Sequence, residues 1–128
     1  MAIERGLRSA VRRTVNADDS AAALGSGDLP VLGTPRLLAW CEAATLAALA
    51  QQIGPEQSTV GTRVQLEHTR ASPVGSVLTV RAELAHVDGR LLRFEVVAED
   101  EAGAAVAHGQ VTRVVVDRAR FMDRLARP

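Results

Sequence analysis

The segment from Thr34 to Ile53 constrains this chain more than any other. Leu37, Leu38, Cys41, Ala44, Leu46, Ala48, Leu49 and Ile53 recur there at helical spacing. Thr34 is a good N-cap, and Pro35 suits the first helical position, where its missing N–H costs nothing. Gly54-Pro55 stops the run. The helix is apolar nearly all round and rich in alanine, so it is predicted to be buried, with side chains small enough for a sheet to approach closely. No other segment carries a comparable helical pattern, so whatever buries this helix has to be built of strands.

Those strands are legible as alternation. Leu7 to Ala17 alternates weakly, with Val11 and Val15 on one face. Asp18 to Leu24 predicts one or two helical turns, capped by Asp18 or Asp19 and stopped at Gly25. Gly25 to Gly33 is a loop. After the long helix, Ser58 to Thr69 predicts a strand with Val60, Thr62, Val64, Leu66 and His68 on one face. Val77 to Val87 places Leu78, Val80, Ala82 and Leu84 together. Asp88-Gly89 is a type I′ hairpin signal, and Leu91 to Glu99 and Ala104 to Val116 complete a meander. Asp117 to Arg127 predicts a short amphipathic helix with Phe121, Met122 and Leu125. A meander is antiparallel with one face needing cover, and the single apolar helix is the element large enough to cover it. The expected class is α+β: one long buried helix wrapped by a five- to six-stranded antiparallel sheet, in one domain over residues 1–128. That arrangement is the hotdog fold, usually seen as a dimer with continuous sheets.

Composition removes several function classes. Fifteen basic and fifteen acidic residues cancel, which argues against binding to nucleic acid or an anionic membrane. Trp40, Phe94 and Phe121 are the entire aromatic set, too few to stack bases. Cys41 is alone, so there is no disulfide framework, and a reducing cytoplasm is expected. No apolar run approaches the ~20 residues of a membrane span. No Cys/His spacing resembles a metal site.

Chemistry concentrates on a few polar residues in apolar settings. Glu42 is the one acid in the middle of the long helix, between Leu38 and Leu46. It needs a partner, a wet pocket or a proton, or else it faces solvent through a gap. His68 ends the apolar face of its strand and is either a rim histidine or the partner of Glu42; together they would supply a base or nucleophile beside a proton carrier. Thr34 is an N-cap or the third member of that set. Eight residues at ~1.5 Å rise separate Thr34 from Glu42 by ~12 Å along one helix. A shared site therefore needs a bent entry or a neighbouring subunit, and a pocket at a dimer interface is the expectation. Gly61, inside a strand, marks a bulge or the close approach of a ligand to a backbone amide.

The stretch from Thr34 to Arg113 resembles the fluoroacetyl-CoA thioesterase group of hotdog enzymes. The features that carry the resemblance are Thr34, Trp40-Cys41-Glu42, Val60-Gly61-Thr62, Leu66-Glu67-His68-Thr69, Ser72-Pro73-Val74-Gly75, Gly109 and Arg113. It implies a catalytic set of Thr34, Glu42 and His68, a thioester-facing amide at Gly61, and an arginine near the coenzyme A entrance at Arg113. It implies acyl-CoA as substrate, no separate cofactor, and a homodimer or dimer of dimers. The segment Gly27 to Gly33 holds no Phe, whereas the family's namesake has Phe residues in that lid, so an altered acyl preference is expected. The leading expectation is hydrolysis of a small or medium acyl-CoA thioester. The alternative is a non-catalytic hotdog module that binds acyl-CoA or another small ligand. A hotdog dehydratase fits less well, because no His precedes His68.

Overall fold

The computed structural model describes residues 3–127. Its elements run β1 (Arg8–Thr14), a 3-10 turn (Ala17–Asp19), α1 (Ala21–Leu24), α2 (Thr34–Leu49), β2 (Gln57–His68), β3 (Val77–Asp88), β4 (Leu91–Glu99), β5 (Ala105–Asp117) and α3 (Arg118–Ala126). The five strands form one antiparallel sheet in the order β1-β3-β4-β5-β2. The inward rows Leu78, Val80, Ala82, Leu84 and Leu92, Phe94, Val96, Ala98 are buried against α2, which contributes Leu37, Trp40, Cys41, Ala44 and Leu49. This is the helix-on-sheet architecture that the alternation demanded.

Four local expectations are corrected. The N-cap of α2 is Gly33, and Thr34 and Pro35 open the helix behind it; the Thr34 hydroxyl is spent on His68 instead. Ser20, not Asp18 or Asp19, caps α1, its Oγ accepting from the Ala23 N–H at 3.1 Å. At the β3–β4 hairpin Asp88 pairs with Leu91, so the central residues are Gly89 and Arg90. Only Gly89 has positive φ, at 59°, which is the type II′ pattern rather than I′. Finally, α2 is buried on one side only. Ala39, Leu46, Ala47 and Ala50 are exposed, because the sheet meets the helix chiefly through β1 and β3 and curls away towards β2.

The alternation of β2 is also broken. A bulge between Gly61 and Arg63 leaves Thr62 out of register. Val60 opposes Val114 on the outer face, while Thr59 and Gly61 oppose Val115 and Arg113 on the inner one. Past the bulge the phase is reset, and Val64, Leu66 and His68 point inwards. A bulge re-aims side chains in this way by adding one residue to one strand of a pair. The single face expected from Val60 to His68 is therefore two half-faces of opposite parity.

Candidate active site

Two polar clusters stand on the inner face, one at each end of the reset. At the entry to α2, Thr34 Oγ1 and His68 Nδ1 lie 2.8 Å apart. The helix start and the end of β2 are thereby tied by side chains. The other ring nitrogen, Nε2, is buried and has no hydrogen-bond partner. Burial pushes the His68 pKa below its ordinary value, partly offset by a hydrogen bond involving the Arg70 backbone, so the ring is neutral near pH 7. A neutral imidazole with one nitrogen anchored and the other free can take or give a proton.

Two turns further along α2, Glu42 faces Gly61 and Arg113. The Glu42 Oε2 to Arg113 Nη1 distance is 3.2 Å. Arg113 is 6% exposed and also donates from Nε to Thr59 Oγ1 at 2.8 Å and from Nη2 to the Thr59 carbonyl at 3.2 Å. Its period-2 neighbours on β5, Val111 and Val115, are core residues, so a cation at this position requires such partners. The Glu42 side chain is 36% exposed, open to solvent on one side and gripped on the other. Thr45 Oγ1 donates to the Glu42 carbonyl at 2.6 Å, and Ser9 Oγ donates to the next turn at the Ala44 carbonyl, also at 2.6 Å. Both fix this part of α2.

Gly61 is where the backbone comes closest. A Cβ at this position would stand 2.6 Å from Glu42 Oε2 and 3.5 Å from Arg113 Nη1. Glycine alone lets the carboxylate come this close to the β2 backbone.

The site residues expected from the sequence are thus present but partitioned. Within one chain His68 meets Thr34 rather than Glu42, and Glu42 meets Gly61 and Arg113. Arg113 is a buried cation committed to Glu42 and Thr59. Thr59 was missed; its signal lay in the buried position of Arg113, which forces a search for acceptors on the neighbouring strand. His86 and His108 are exposed. Among the described residues no group of three or more His, Cys, Asp or Glu could hold a metal ion.

The family model for the fluoroacetyl-CoA-specific thioesterase FlK matches residues 15–119. The chain belongs to this family. Among curated proteins, the FlK-family relative fluoroacetyl-CoA thioesterase of Streptantibioticus cattleyicolor is 33% identical over 91 residues, which are 71% of this chain. The match spans 65% of that relative, less than two thirds of its length. A solved structure of FlK superposes with a TM-score of 0.88 at 27% identity, covering 100% of both chains. A thioesterase-superfamily protein of Thermus thermophilus superposes at 0.89 with 18% identity, covering 97% of this chain and 91% of that one, a likeness of fold. The hotdog architecture and the thioesterase family expected from the sequence are both what these likenesses show. No helix of the described residues is long and apolar enough to cross a membrane.

Proposed function

We propose that this FlK-family chain hydrolyses acyl-CoA thioesters to the free acid and coenzyme A, and that it does so as a homodimer. The observation that carries the reading is that the chain holds both a His68 with one buried ring nitrogen left unpartnered and a Glu42 carboxylate set against the bare backbone of Gly61. The Glu42 carboxylate either attacks the thioester carbonyl, giving a mixed anhydride that water then cleaves, or takes a proton from a water that attacks the carbonyl in its place. The Gly61 backbone lies against that carboxylate, so a strand amide there is near the attacked carbonyl and can steady its developing negative charge. The neutral His68 ring takes up a proton from water at Nε2 and passes it to the departing sulfur as the C–S bond breaks, while Thr34 holds the ring through Nδ1. Addition of water across the C–S bond gives the carboxylic acid and the thiol.

The partition of the site supports the dimer. The ~12 Å between Thr34 and Glu42 along α2 keeps them from acting on one carbonyl within a chain. β2 is a twelve-residue edge strand, a hazard unless paired or covered. Val64 on its inner face is 44% exposed and Leu46 on α2 is 47% exposed, beside the bare alanines of the helix. A second copy laid along β2 would cover this apolar strip and bring one chain's Thr34–His68 pair towards the other's Glu42. The lone Cys41 is buried and unpaired, which fits a reducing cytoplasm.

The test is a thiol-release assay over a panel of short acyl-CoAs with the parent and with Glu42→Gln, which should stay folded and lose most turnover. A Glu42→Gln protein as fast as the parent would overturn these roles. Calorimetric binding of acyl-CoA by the parent without any thiol release would leave the non-catalytic binding module as the function.

A further inference from the structure

A groove of about 260 Å³ opens beside the Thr34–His68 pair, its lining including Ala21, Ser26, Thr69 and Arg70. Its volume falls below the ~300–1,000 Å³ of pockets that enclose whole drug-sized ligands. It fits a short acyl group and leaves the nucleotide end of coenzyme A outside. Its walls near α1 are small, and its lining includes no carboxylate. The one charged residue in its lining is Arg70, whose guanidinium has no ion-pair partner among the described residues. His68 adds no compensating negative charge and is itself neutral. The groove also lies at the first residue of the sixteen-residue α2, whose N-terminal end carries a partial positive charge. Positive potential from two sources, with polar Ser26 and Thr69 alongside, is a poor environment for a plain alkyl tail.

Resting on the thioesterase reading, we propose that this groove is the acyl subsite and that Arg70 selects acyl groups ending in a carboxylate, as in succinyl-type thioesters. The distal carboxylate would accept hydrogen bonds from the Arg70 guanidinium, whose planar fork matches it. The thioester end would lie at Thr34 and His68. Arg70 is exposed, so its replacement does not threaten the fold.

Succinyl and butyryl thioesters have the same chain length and differ in ending on a carboxylate or a methyl. Each should be presented both on coenzyme A and on pantetheine, which lacks the phosphates. The parent is expected to favour succinyl over butyryl by about tenfold or more in kcat/KM on both carriers, the scale of one charged hydrogen bond. Arg70→Met should bring the two acyl groups level by lowering the succinyl value. Equal or better hydrolysis of butyryl by the parent, or a preference that survives Arg70→Met, would overturn the proposal. An Arg70→Met loss that affects both acyl groups on coenzyme A and neither on pantetheine would also overturn it, assigning Arg70 to the phosphates. If no thioester is hydrolysed at all, the thioesterase reading falls separately. Calorimetry of the same four ligands then still decides the subsite: tighter binding of the succinyl forms that disappears in Arg70→Met upholds it, and equal binding ends it.

Discussion

Thr34 Oγ1 and His68 Nδ1, 2.8 Å apart, join the first residue of α2 to the last residue of β2. The contact diverts the threonine from helix capping, which Gly33 serves through its backbone. Thr34→Val should therefore leave thermal stability nearly unchanged. It should lower kcat on the order of 10²-fold, because the His68 ring loses its anchor. Thr34→Ser should restore most of the rate. A Thr34→Val enzyme with parental kcat would remove His68 orientation from the account.

Gly61 and Gly109 make a second contrast. Gly61→Ala places a methyl against the Glu42 carboxylate, the end of a partly exposed side chain that can swing away. The protein should stay folded and lose turnover. Gly109→Ala drives its methyl into the Gln65 carbonyl oxygen of the neighbouring backbone, which cannot yield without opening the β2–β5 ladder. Its midpoint of unfolding should drop by several degrees or the protein should fail to accumulate. Circular dichroism melts and thiol release on the two variants separate these outcomes.

The Arg113 anchor gives a stability prediction. Arg113→Met removes the hydrogen bonds to Thr59 and leaves Glu42 and Thr59 without their partner. A loss of about 1–3 kcal/mol is expected in urea denaturation. Glu42→Gln should destabilise less, since the Arg113 bonds to Thr59 survive and the amide oxygen can still accept.

The pH dependence follows from His68, whose pKa is lowered in the fold by burial. The folded protein resists protonation that the unfolded chain accepts at its ordinary 6.5. The stability contributed by the neutral ring is complete above 6.5 and is lost as pH falls through the lower folded value. Turnover should show an acid limb below 6.5 that is absent in a His68→Gln protein retaining residual rate. An acid limb centred above 6.5 would contradict the burial of the ring.

Cys41 is fully buried, and its thiol is pushed up to about 11 by burial and by the neighbouring Glu42 charge. Iodoacetamide at pH 8 should leave it unmodified in the folded protein and label it after denaturation, as mass spectrometry can read. The same shift removes stability as pH rises from the unfolded value of 9.0 towards 11.

The sequence displayed the architecture because β3 and β4 keep strict parity over long stretches, and because one Ala-rich helix had nothing but strands to lie on. It displayed the site residues through charge in apolar settings, at Glu42 and His68, and through joint spacing. Their grouping was hidden. Period-2 counting from Val60 to His68 assumes an unbroken strand; Gly61 signalled a bulge as one of two readings, and the extra residue at Thr62 changes the face of everything before it. The two destinations of α2, one side on the sheet and one side bare, were hidden too, since alanines look alike whether they meet a strand of the same chain or await another surface. Thr59 escaped notice because a threonine in a strand is ordinary until a buried guanidinium is found opposite.

The bulge at Thr62 makes β2 a strand with two independent settings. Residues before it hold Arg113 and the bare backbone at Glu42, while residues after it aim His68 at Thr34. Deleting Thr62 would make Gly61–Arg113 and Arg63–Thr112 consecutive pairs of a regular ladder, with both halves on their present faces. Pairing with β5, not the residue count along β2, therefore decides where the two halves face: a chain one residue shorter between 61 and 63 should still aim His68 at Thr34, whereas a one-residue deletion within either half would shift that half against β5.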